Sequence, residues 1–379
     1  MPQSPPMRWV SSPAAPTGGV CIEVDADKGT QGVGCRGTDA ETCGICMEAD
    51  AAVVAQGCGC RGTTGWAHPA CLAQAARARY GHVGARAWTQ CGVCRHLFTG
   101  PMQGALCQAW LEDTRDAGDL DPARLHARLF HAFAQNCAGR CGDALRLYRE
   151  ALPAFECAFG TDSPSVMSLQ SYMSVAMNDC GQHEQALALQ DAVLAKARAL
   201  GAEHTGFWRD LSCSKADSLL ALGRFHQAGQ LLTGLTAGTA GEAPRGFVVK
   251  ALIRTALCLQ GERRLDEADH VADETVAMAR QVFGARHPYT VEACSVQAAG
   301  HLARQRAGLA LQALSCVLDA WPSEVTQEVN AKTAVAFEVA ASAHRQQRAY
   351  AKEESCLQVS QADYCVVCAM YTRSAQRNN

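Results

Sequence analysis

Four pairs of cysteine and histidine lie between residues 43 and 94, in the order Cys43-Gly-Ile-Cys46, Cys58-Gly-Cys60, His68-Pro-Ala-Cys71 and Cys91-Gly-Val-Cys94. They offer seven thiols and one imidazole, which is enough for two tetrahedral zinc ions with no ligand missing. Three of the pairs have a gap of two residues, which lets a tight turn present both donors to one ion. This stretch therefore predicts a small module that is folded around two zinc ions.

The rest of the composition favours a helical protein of two or three domains. The chain has 379 residues, of which 48% are apolar but only 6% aromatic. Small apolar side chains in bulk suit close-packed helices better than sheets. The formal net charge of -3 gives no sign of a nucleic-acid partner, because such proteins usually carry a basic excess.

The sequence predicts a cytoplasmic protein, with a nuclear location as the alternative. The segment MPQSPPMRWVSSPAAPTGG has no continuous apolar run, so we expect no secretory signal. We also expect no membrane span, because no run reaches the roughly 18 uncharged residues that one needs. In a reducing compartment, clustered cysteines indicate metal binding rather than a disulfide framework.

The spacing of the four pairs resembles that of RING-CH zinc fingers. One residue separates Cys58 from Cys60, and seven separate Cys60 from His68. PHD fingers share the ligand order but usually have a wider third pair and a shorter gap before the histidine. The resemblance implies a crossed arrangement, in which one zinc ion is held by Cys43, Cys46, His68 and Cys71 and the other by Cys58, Cys60, Cys91 and Cys94. Loss of any ligand should unfold the module, because metal binding supplies its folding free energy.

The resemblance implies that the chain is a RING-type ubiquitin ligase with no covalent catalytic residue. Such a finger binds a ubiquitin-conjugating enzyme and holds its ubiquitin thioester in position for attack. On the matching positions, Ile45 is the expected apolar contact and Arg95 the expected basic one. The sequence departs from the family at Ala75, where tryptophan is common, and at Gly92, where proline is common. Trp88 or Tyr80 could supply an aromatic contact instead.

A helical repeat of about 42 residues follows the finger. Small residues recur at Ala144, Ala186, Ala228, Ala268 and Ala310, with spacings of 42, 42, 40 and 42. Twelve residues before each of these lies another, and a sixth unit keeps Ala340 but has Lys352 in the second place. These earlier small residues are Ala132, Ser174, Ala216, Ala256 and Ala298. Two small residues per unit let two helices approach closely where they cross.

These units resemble tetratricopeptide repeats (TPR) of the kinesin-light-chain type. Links such as Phe159-Gly-Thr-Asp-Ser-Pro164 and Phe283-Gly-Ala-Arg-His-Pro288 support the comparison. The resemblance implies about six helical hairpins that stack as a right-handed solenoid with a concave, partner-binding face. The predicted partner groove is lined by Phe133, Asn136, Asn178, Asp217, Gln260 and His344.

The predicted architecture is mostly α-helical, with five segments. They are a disordered leader at 1–40, the RING-CH finger at 41–100, a linker at 101–120, the TPR-like repeats at 121–360 and a tail at 361–379. The function that we expect is a ubiquitin ligase whose finger recruits the conjugating enzyme and whose repeats select a protein substrate or partner. The alternative is a non-enzymatic scaffold. The sequence leaves open the substrate, the conjugating enzyme, the chain type, the oligomeric state and the role of Cys365 and Cys368.

Overall fold

The computed structural model describes residues 42–49, 52–56, 58, 60, 65–95, 97–203, 205–237, 245–284, 287–318, 331–347, 352 and 356. The expected leader at 1–40 and tail at 361–379 lie outside these residues, as do Cys365 and Cys368. Most of the described chain is helical, as the sequence predicts. None of the described helices is both long enough and apolar enough to cross a membrane.

The cysteine-rich segment begins with a short hairpin. Strands β1 (Val54–Ala55) and β2 (Trp66–Ala67) pair in antiparallel register. The N–H of Gly44 donates to the carbonyl oxygen of Trp66 at 2.9 Å, which fixes the first cysteine pair to this hairpin. The hairpin therefore lies beside the first of the four pairs.

Two helices complete the finger. Helix α1 (Pro69–Val83) starts at a proline, which lacks only an N–H that the first turn would leave unpaired. It ends at Gly84, whose φ of +58° favours glycine. The short helix α2 (Arg86–Thr89) follows, and a single bridge between Gln90 and Leu97 closes the last cysteine pair into a loop.

A helix occupies most of the segment that we expected to be a linker. Helix α3 (Gly100–Asp113) packs against α1 and α2 and also against the next helix, α4 (Pro122–Cys137). Trp110 on α3 is 1% exposed, and its ring lies 5.8 Å from that of Trp88 on α2 and 5.9 Å from that of Phe130 on α4. The structure thus differs from the expectation at 101–120, because α3 gives the finger and the first repeat a common core.

The remaining described residues form TPR-like helical repeats, each with a first helix A and a second helix B. The A helices are α4, α6 (Pro164–Asp179), α8 (Gly206–Ala221), α10 (Arg245–Gly261), α12 (Pro288–Ala303) and α14 (Ala331–Gln346). The B helices are α5 (Cys141–Phe159), α7 (His183–Ala199), α9 (Phe225–Ala237), α11 (Leu265–Phe283) and α13 (Ala307–Leu318). The described residues therefore contain five A–B pairs and the A helix of a sixth.

The turn from helix A to helix B has one left-handed residue in each of the five pairs. It is Gly139, Gly181 and Gly223 in the first three, with φ of +76°, +77° and +72°. In the fourth and fifth, Arg263 and Gln305 adopt φ of +63° and +58° at the same place in the repeat. A residue with a Cβ is strained in this conformation by roughly 1–2 kcal/mol. The turns therefore keep their shape even where glycine is missing.

The small side chains predicted at the helix crossings are buried, which confirms the repeat pattern. The second set, at 144, 186, 228, 268 and 310, is 0% exposed. In the first set Ala132 is 1% exposed, and the residues at 174, 216, 256, 298 and 340 are 0% exposed. Lys352, which replaces alanine in the sixth unit, is exposed.

The chain divides into two compact units. The first contains the finger, α3 and the residues up to Ala176, together with Ala195–Trp208. Its repeat core is aromatic: the Tyr172 ring lies 5.5 Å from Phe133 and 6.3 Å from Tyr148. The second unit contains Met177–Leu194 and the residues from Arg209 onward, and one core cluster within it is mostly aliphatic. That core includes Leu187, Cys213, Ala216, Leu219, Ala228, Leu232, Phe247, Ala251 and Cys258.

Candidate metal centres

The first predicted ligand set forms one group in the structure. The ligand atoms of Cys43, Cys46, His68 and Cys71 all lie within 4.8 Å of one another. His68 directly precedes α1, and Cys71 lies in the first turn of that helix. The Nδ1 atom of His68 is 3.3 Å from the Cys46 sulfur and 3.7 Å from the Cys71 sulfur. The imidazole therefore faces the group through Nδ1.

The second predicted set forms another group of the same size. The sulfurs of Cys58, Cys60, Cys91 and Cys94 lie within 4.8 Å of one another. Gln56, which is 5% exposed, has its amide oxygen 3.6 Å from the Cys58 sulfur and 3.8 Å from the Cys91 sulfur. An amide is oriented by its hydrogen-bond partners, so thiolates at 58 and 91 would turn the NH2 group toward the sulfurs as a donor. Nothing in the cysteine pattern marks Gln56, and sequence reasoning missed it.

Both groups fit a tetrahedral zinc ion in donor chemistry and in size. Zinc–ligand distances of about 2.3 Å for sulfur and about 2.0–2.1 Å for nitrogen place two sulfurs about 3.8 Å apart, and sulfur and nitrogen about 3.6 Å apart. The Cys60 and Cys91 sulfurs are 3.7 Å apart, close to that value. Each group could therefore hold one zinc ion. All four positions would be taken by protein ligands, so such an ion would be structural.

The pKa values of the thiols also favour a cation in each group. Burial acts to raise the pKa of Cys43, but surrounding backbone N–H groups outweigh it and lower this pKa to about 6. Backbone N–H groups likewise lower the pKa of Cys91 against the effect of burial. Burial, and then the neighbouring sulfurs, raise the pKa of Cys60 to about 12 and that of Cys71 to about 11. Thiols this close cannot all ionise together unless a cation joins them.

The two turns that carry a Cys-x-x-Cys pair have the same conformation. We call residues 43–47 knuckle 1 and residues 91–95 knuckle 2. The last residue of each, Met47 or Arg95, has a left-handed φ of +63° or +60°. The N–H of that residue donates at 3.0 Å to the carbonyl oxygen of the first cysteine, Cys43 or Cys91. The two Cys-x-x-Cys pairs are therefore presented by equivalent turns.

Both knuckles expose apolar side chains. Ile45 is 47% exposed, Met47 68% and Val93 76%. We call these three residues the knuckle face. Large exposed apolar side chains can mark an interaction site. Arg95 is also exposed, so both predicted contact residues lie at the surface. Sequence reasoning missed Met47 and Val93, although the repeated Cys-Gly-(Ile/Val)-Cys pattern could have indicated Val93.

The aromatic residues that could have replaced the missing tryptophan do not lie on this face. Trp88 is 3% exposed, and its ring stacks on that of Trp110 with the planes 1° apart. Tyr80 is half-buried, and its ring centroid lies 5.9 Å from that of Trp110 in an edge-on arrangement. Trp88 therefore belongs to the core shared with α3 and is not available as a surface contact.

Two residues of the predicted partner groove are buried and one is half-buried. Phe133 is 4% exposed and Asn136 9%. His344 is half-buried, and burial followed by the charge of Lys352 lowers its pKa. Their place on A helices agrees with the TPR pattern, but Phe133 packs against Tyr172 and faces no open groove.

The other three groove residues bind the next A helix. The Nδ2 atom of Asn178 donates to the Ser218 hydroxyl at 2.7 Å. Asp217 accepts two hydrogen bonds from Arg254, at 2.8 and 2.7 Å, and the Arg254 side chain is only 7% exposed. A further bond, at 2.8 Å, runs from the Gln260 amide to a backbone carbonyl oxygen of α12. These side chains join consecutive repeats, which leaves them little capacity for a partner.

Comparison with known proteins identifies the repeats. The family model for the tetratricopeptide repeat matches residues 256–289, from the second half of α10 through α11 to the start of α12. This segment contains two of the buried small residues, Ala256 and Ala268. No curated protein sequence matches the chain.

Several solved structures are similar to the chain at low identity. The crystal structure of nearly identical TPR-like repeats from Podosopora anserina, described as a kinesin light chain, is 19% identical, with 52% of this chain and 95% of that one covered and a TM-score of 0.43. BtubC (BKLC) from P. vanneervenii is 12% identical, with coverage of 63% and 90% and a TM-score of 0.43. A Rap protein complexed with competence and sporulation factor is 11% identical, with coverage of 74% and 77% and a TM-score of 0.49. It is the family match at 256–289 that identifies a tetratricopeptide repeat in this chain, within a run of similar helices.

Proposed function

We propose that the chain is a RING-CH-type ubiquitin ligase whose finger holds two zinc ions and binds a ubiquitin-conjugating enzyme. The observation that carries the proposal is the crossed pairing of the ligands. The first pair groups with the third, and the second with the fourth. Because each group takes ligands from both halves of the finger, the groups interlock, and two metals can replace a core that so small a module could not supply.

The knuckle face is the proposed docking site for the conjugating enzyme. Ile45 and Val93 occupy equivalent places between two cysteines, and Met47 adds a third apolar side chain. Arg95 follows the last ligand at the end of knuckle 2, and its exposed guanidinium could donate hydrogen bonds to a partner. Loss of one central apolar contact from an interface of this kind costs on the order of 2 kcal/mol.

The finger takes part in ubiquitin transfer by positioning alone. A substrate lysine amine attacks the thioester carbon that joins ubiquitin to the conjugating enzyme. An amide bond forms, the carbon–sulfur bond breaks, and the sulfur leaves as a thiol with the proton that the amine gives up. Zinc would supply the folded shape of the finger. The residues of the knuckle face would orient the enzyme, and orientation of this kind can lower a barrier substantially.

The TPR-like repeats suggest a surface for a protein substrate or partner. Because the six predicted groove residues are engaged in packing or half-buried, other exposed side chains of the repeats would make that contact. The division of labour remains the one that the sequence predicts, with the enzyme on the finger and the substrate on the repeats. We propose that this takes place in the cytoplasm or the nucleus.

A ubiquitination assay tests the proposal. The purified chain is mixed with activating enzyme, a broad panel of conjugating enzymes, ubiquitin and ATP, and we expect ubiquitin chains on the protein itself. Ile45→Ala and Val93→Ala should each slow the reaction about tenfold or more. Leu309→Ala is the matched control, because Leu309 is 44% exposed but lies on α13. Silence with every conjugating enzyme would refute the proposal.

The second candidate is a non-enzymatic scaffold. It is favoured by Ala75 and by the burial of Trp88, which leave no aromatic contact among the described residues of the knuckle face. In this case the zinc-bound finger would be a folded clip, and the repeats would assemble partners. The scaffold predicts that the intact chain binds a partner protein through its repeats yet transfers no ubiquitin. Transfer that is lost in Ile45→Ala would exclude it.

A further inference from the structure

We propose that Arg79 selects the partner of the finger, by holding a positive charge beside knuckle 2 that pairs with a carboxylate on the docked conjugating enzyme. This inference rests on the proposed function, because it names a chemical property of the enzyme that binds there. It commits to an acidic surface residue of that enzyme as the group that Arg79 contacts.

The position of Arg79 depends on Gly92. Arg79 projects from α1, and its guanidinium lies across Gly92 in knuckle 2. A Cβ added to Gly92 would be 2.8 Å from Nη1, 3.1 Å from Cζ and 3.5 Å from Nη2 of Arg79. Any side chain at 92 would therefore displace the guanidinium. This displacement would cost the fold little, because the atoms in conflict are the far end of a flexible side chain.

Arg79 has no carboxylate partner among the residues that the structure describes. Arg77, on the same helix, makes two hydrogen bonds to Asp113, at 2.6 and 2.9 Å. Arg79 is half-buried against the knuckle and makes no such pair within the described chain. A guanidinium remains protonated at any physiological pH and presents donors that match a carboxylate. A half-buried cation without a partner is well placed to bind a carboxylate from another molecule.

The surroundings favour a docking contact. Val93, the most exposed residue of the knuckle face at 76%, follows Gly92 directly. Arg95 lies at the end of the same knuckle and is also exposed. The exposed valine of knuckle 2 therefore lies next to positively charged side chains in the sequence, and such charges would favour a negatively charged partner.

Affinity measurements on the full chain test the role of Arg79. The ligand is the conjugating enzyme that gives the fastest transfer in the assay above. We expect Arg79→Gln to weaken binding about threefold to tenfold and Arg79→Glu more than about tenfold, with less effect in high salt. Arg149→Glu is the matched control, because Arg149 is exposed on α5 and the charge change is the same.

Gly92→Ala provides the second arm of the test. It should weaken binding as much as Arg79→Gln does, because the new Cβ displaces the guanidinium. In the double variant the two effects should not add, since both remove one contact. Additive effects would contradict the coupling between Gly92 and Arg79.

Zinc content, measured for every variant, separates this role from a structural one. If Arg79→Gln keeps both zinc ions and loses affinity, the proposal stands. If Arg79→Gln loses zinc from the second group, the charge serves the thiolates and the proposal is wrong. If Arg79→Glu binds like the wild type while Ile45→Ala does not, Arg79 has no role in docking, although the ligase proposal survives. If no conjugating enzyme binds the wild type, the ligase proposal itself fails.

Discussion

Replacing Trp110 by alanine should destabilise the finger and the first repeat together. The indole is 1% exposed, and its ring contacts Tyr80, Trp88 and Phe130 at 5.8–5.9 Å. Truncation of a buried tryptophan costs about 3–5 kcal/mol. Each aromatic pair contributes about 0.5–1.5 kcal/mol within such a loss. Two of the three pairs belong to the finger, so about 1–3 kcal/mol of the loss should fall there.

The loss in the finger should appear as faster release of zinc. Cys71 lies on α1 with Tyr80, and Cys91 follows Trp88 by three residues. A change of about 1–3 kcal/mol corresponds to roughly a 5- to 140-fold larger open fraction of the finger. We would therefore measure urea unfolding by circular dichroism and zinc release to a coloured chelator. Both should change in Trp110→Ala.

Trp208→Ala is the matched control for this prediction. Trp208 is 8% exposed on α8, and Arg198 lies 5.3 Å over its ring. Its truncation should lower the urea midpoint without changing zinc release. If Trp110→Ala also lowers the midpoint but releases zinc at the rate of Trp208→Ala, the two modules do not share a core energetically, and the reasoning is refuted.

The other predictions concern the repeats and are all measured by urea unfolding. Arg263→Gly and Gln305→Gly should each stabilise the protein by about 1 kcal/mol, because they relieve a left-handed φ of +63° or +58°. Gly223→Ala should destabilise it by a similar amount. If neither glycine variant raises the free energy of unfolding, these turns are not strained. Asp217→Ala should cost about 3–5 kcal/mol of stability, because it leaves the guanidinium of Arg254, which is 7% exposed, without its carboxylate partner. Arg254→Met should cost clearly less, because it removes the buried charge as well. Equal losses in the two variants would oppose this explanation. Burial raises the pKa of Glu338 above its unfolded value, so wild-type stability should fall as the pH rises through this raised pKa. The stability of Glu338→Gln relative to the wild type should therefore increase over the same pH range. A stability difference that does not change with pH would count against a buried charge at Glu338.

The two groups of candidate metal ligands could be predicted from the sequence because each pair is local. A gap of one or two residues restricts both donors to one turn, and the resemblance to RING-CH fingers implied how the pairs group. The contact between Arg79 and Gly92 could not be predicted in this way. It joins a helix to a turn that is thirteen residues further along, and its only sequence signal was a glycine where proline is common.

The repeats were predictable because their geometry recurs. Buried small residues and left-handed turns repeat with the same spacing, so each unit supported the others. The surface of the A helices was not predictable from this period. Asp217 and Arg254 are 37 residues apart, and only the structure shows that such charges pair between neighbouring helices. Residues that the repeat pattern assigns to an open face can therefore serve to join the repeats.

Helix α3 lies almost entirely within a segment that we expected to be a linker, at 101–120. A proline in the first turn is compatible with a helix start, and apolar residues recur every four positions at Met102, Leu106 and Trp110. All three are at most 1% exposed. Apolar and polar residues are not clearly separated onto two faces over the whole of α3, so the buried face was hard to recognise from the sequence.

The shared core around Trp110 determines where the chain can be cut. A stacked repeat array needs an end cap, since its first unit otherwise exposes the surface meant for a neighbour. Here α3 covers that end of the array and is itself covered by the finger. Proteolysis between 101 and 120 would expose apolar surface on both fragments, so each fragment should aggregate. A fragment that contains only the finger or only the repeats should therefore include α3. Even then, the face of α3 that normally packs against the missing part would be exposed.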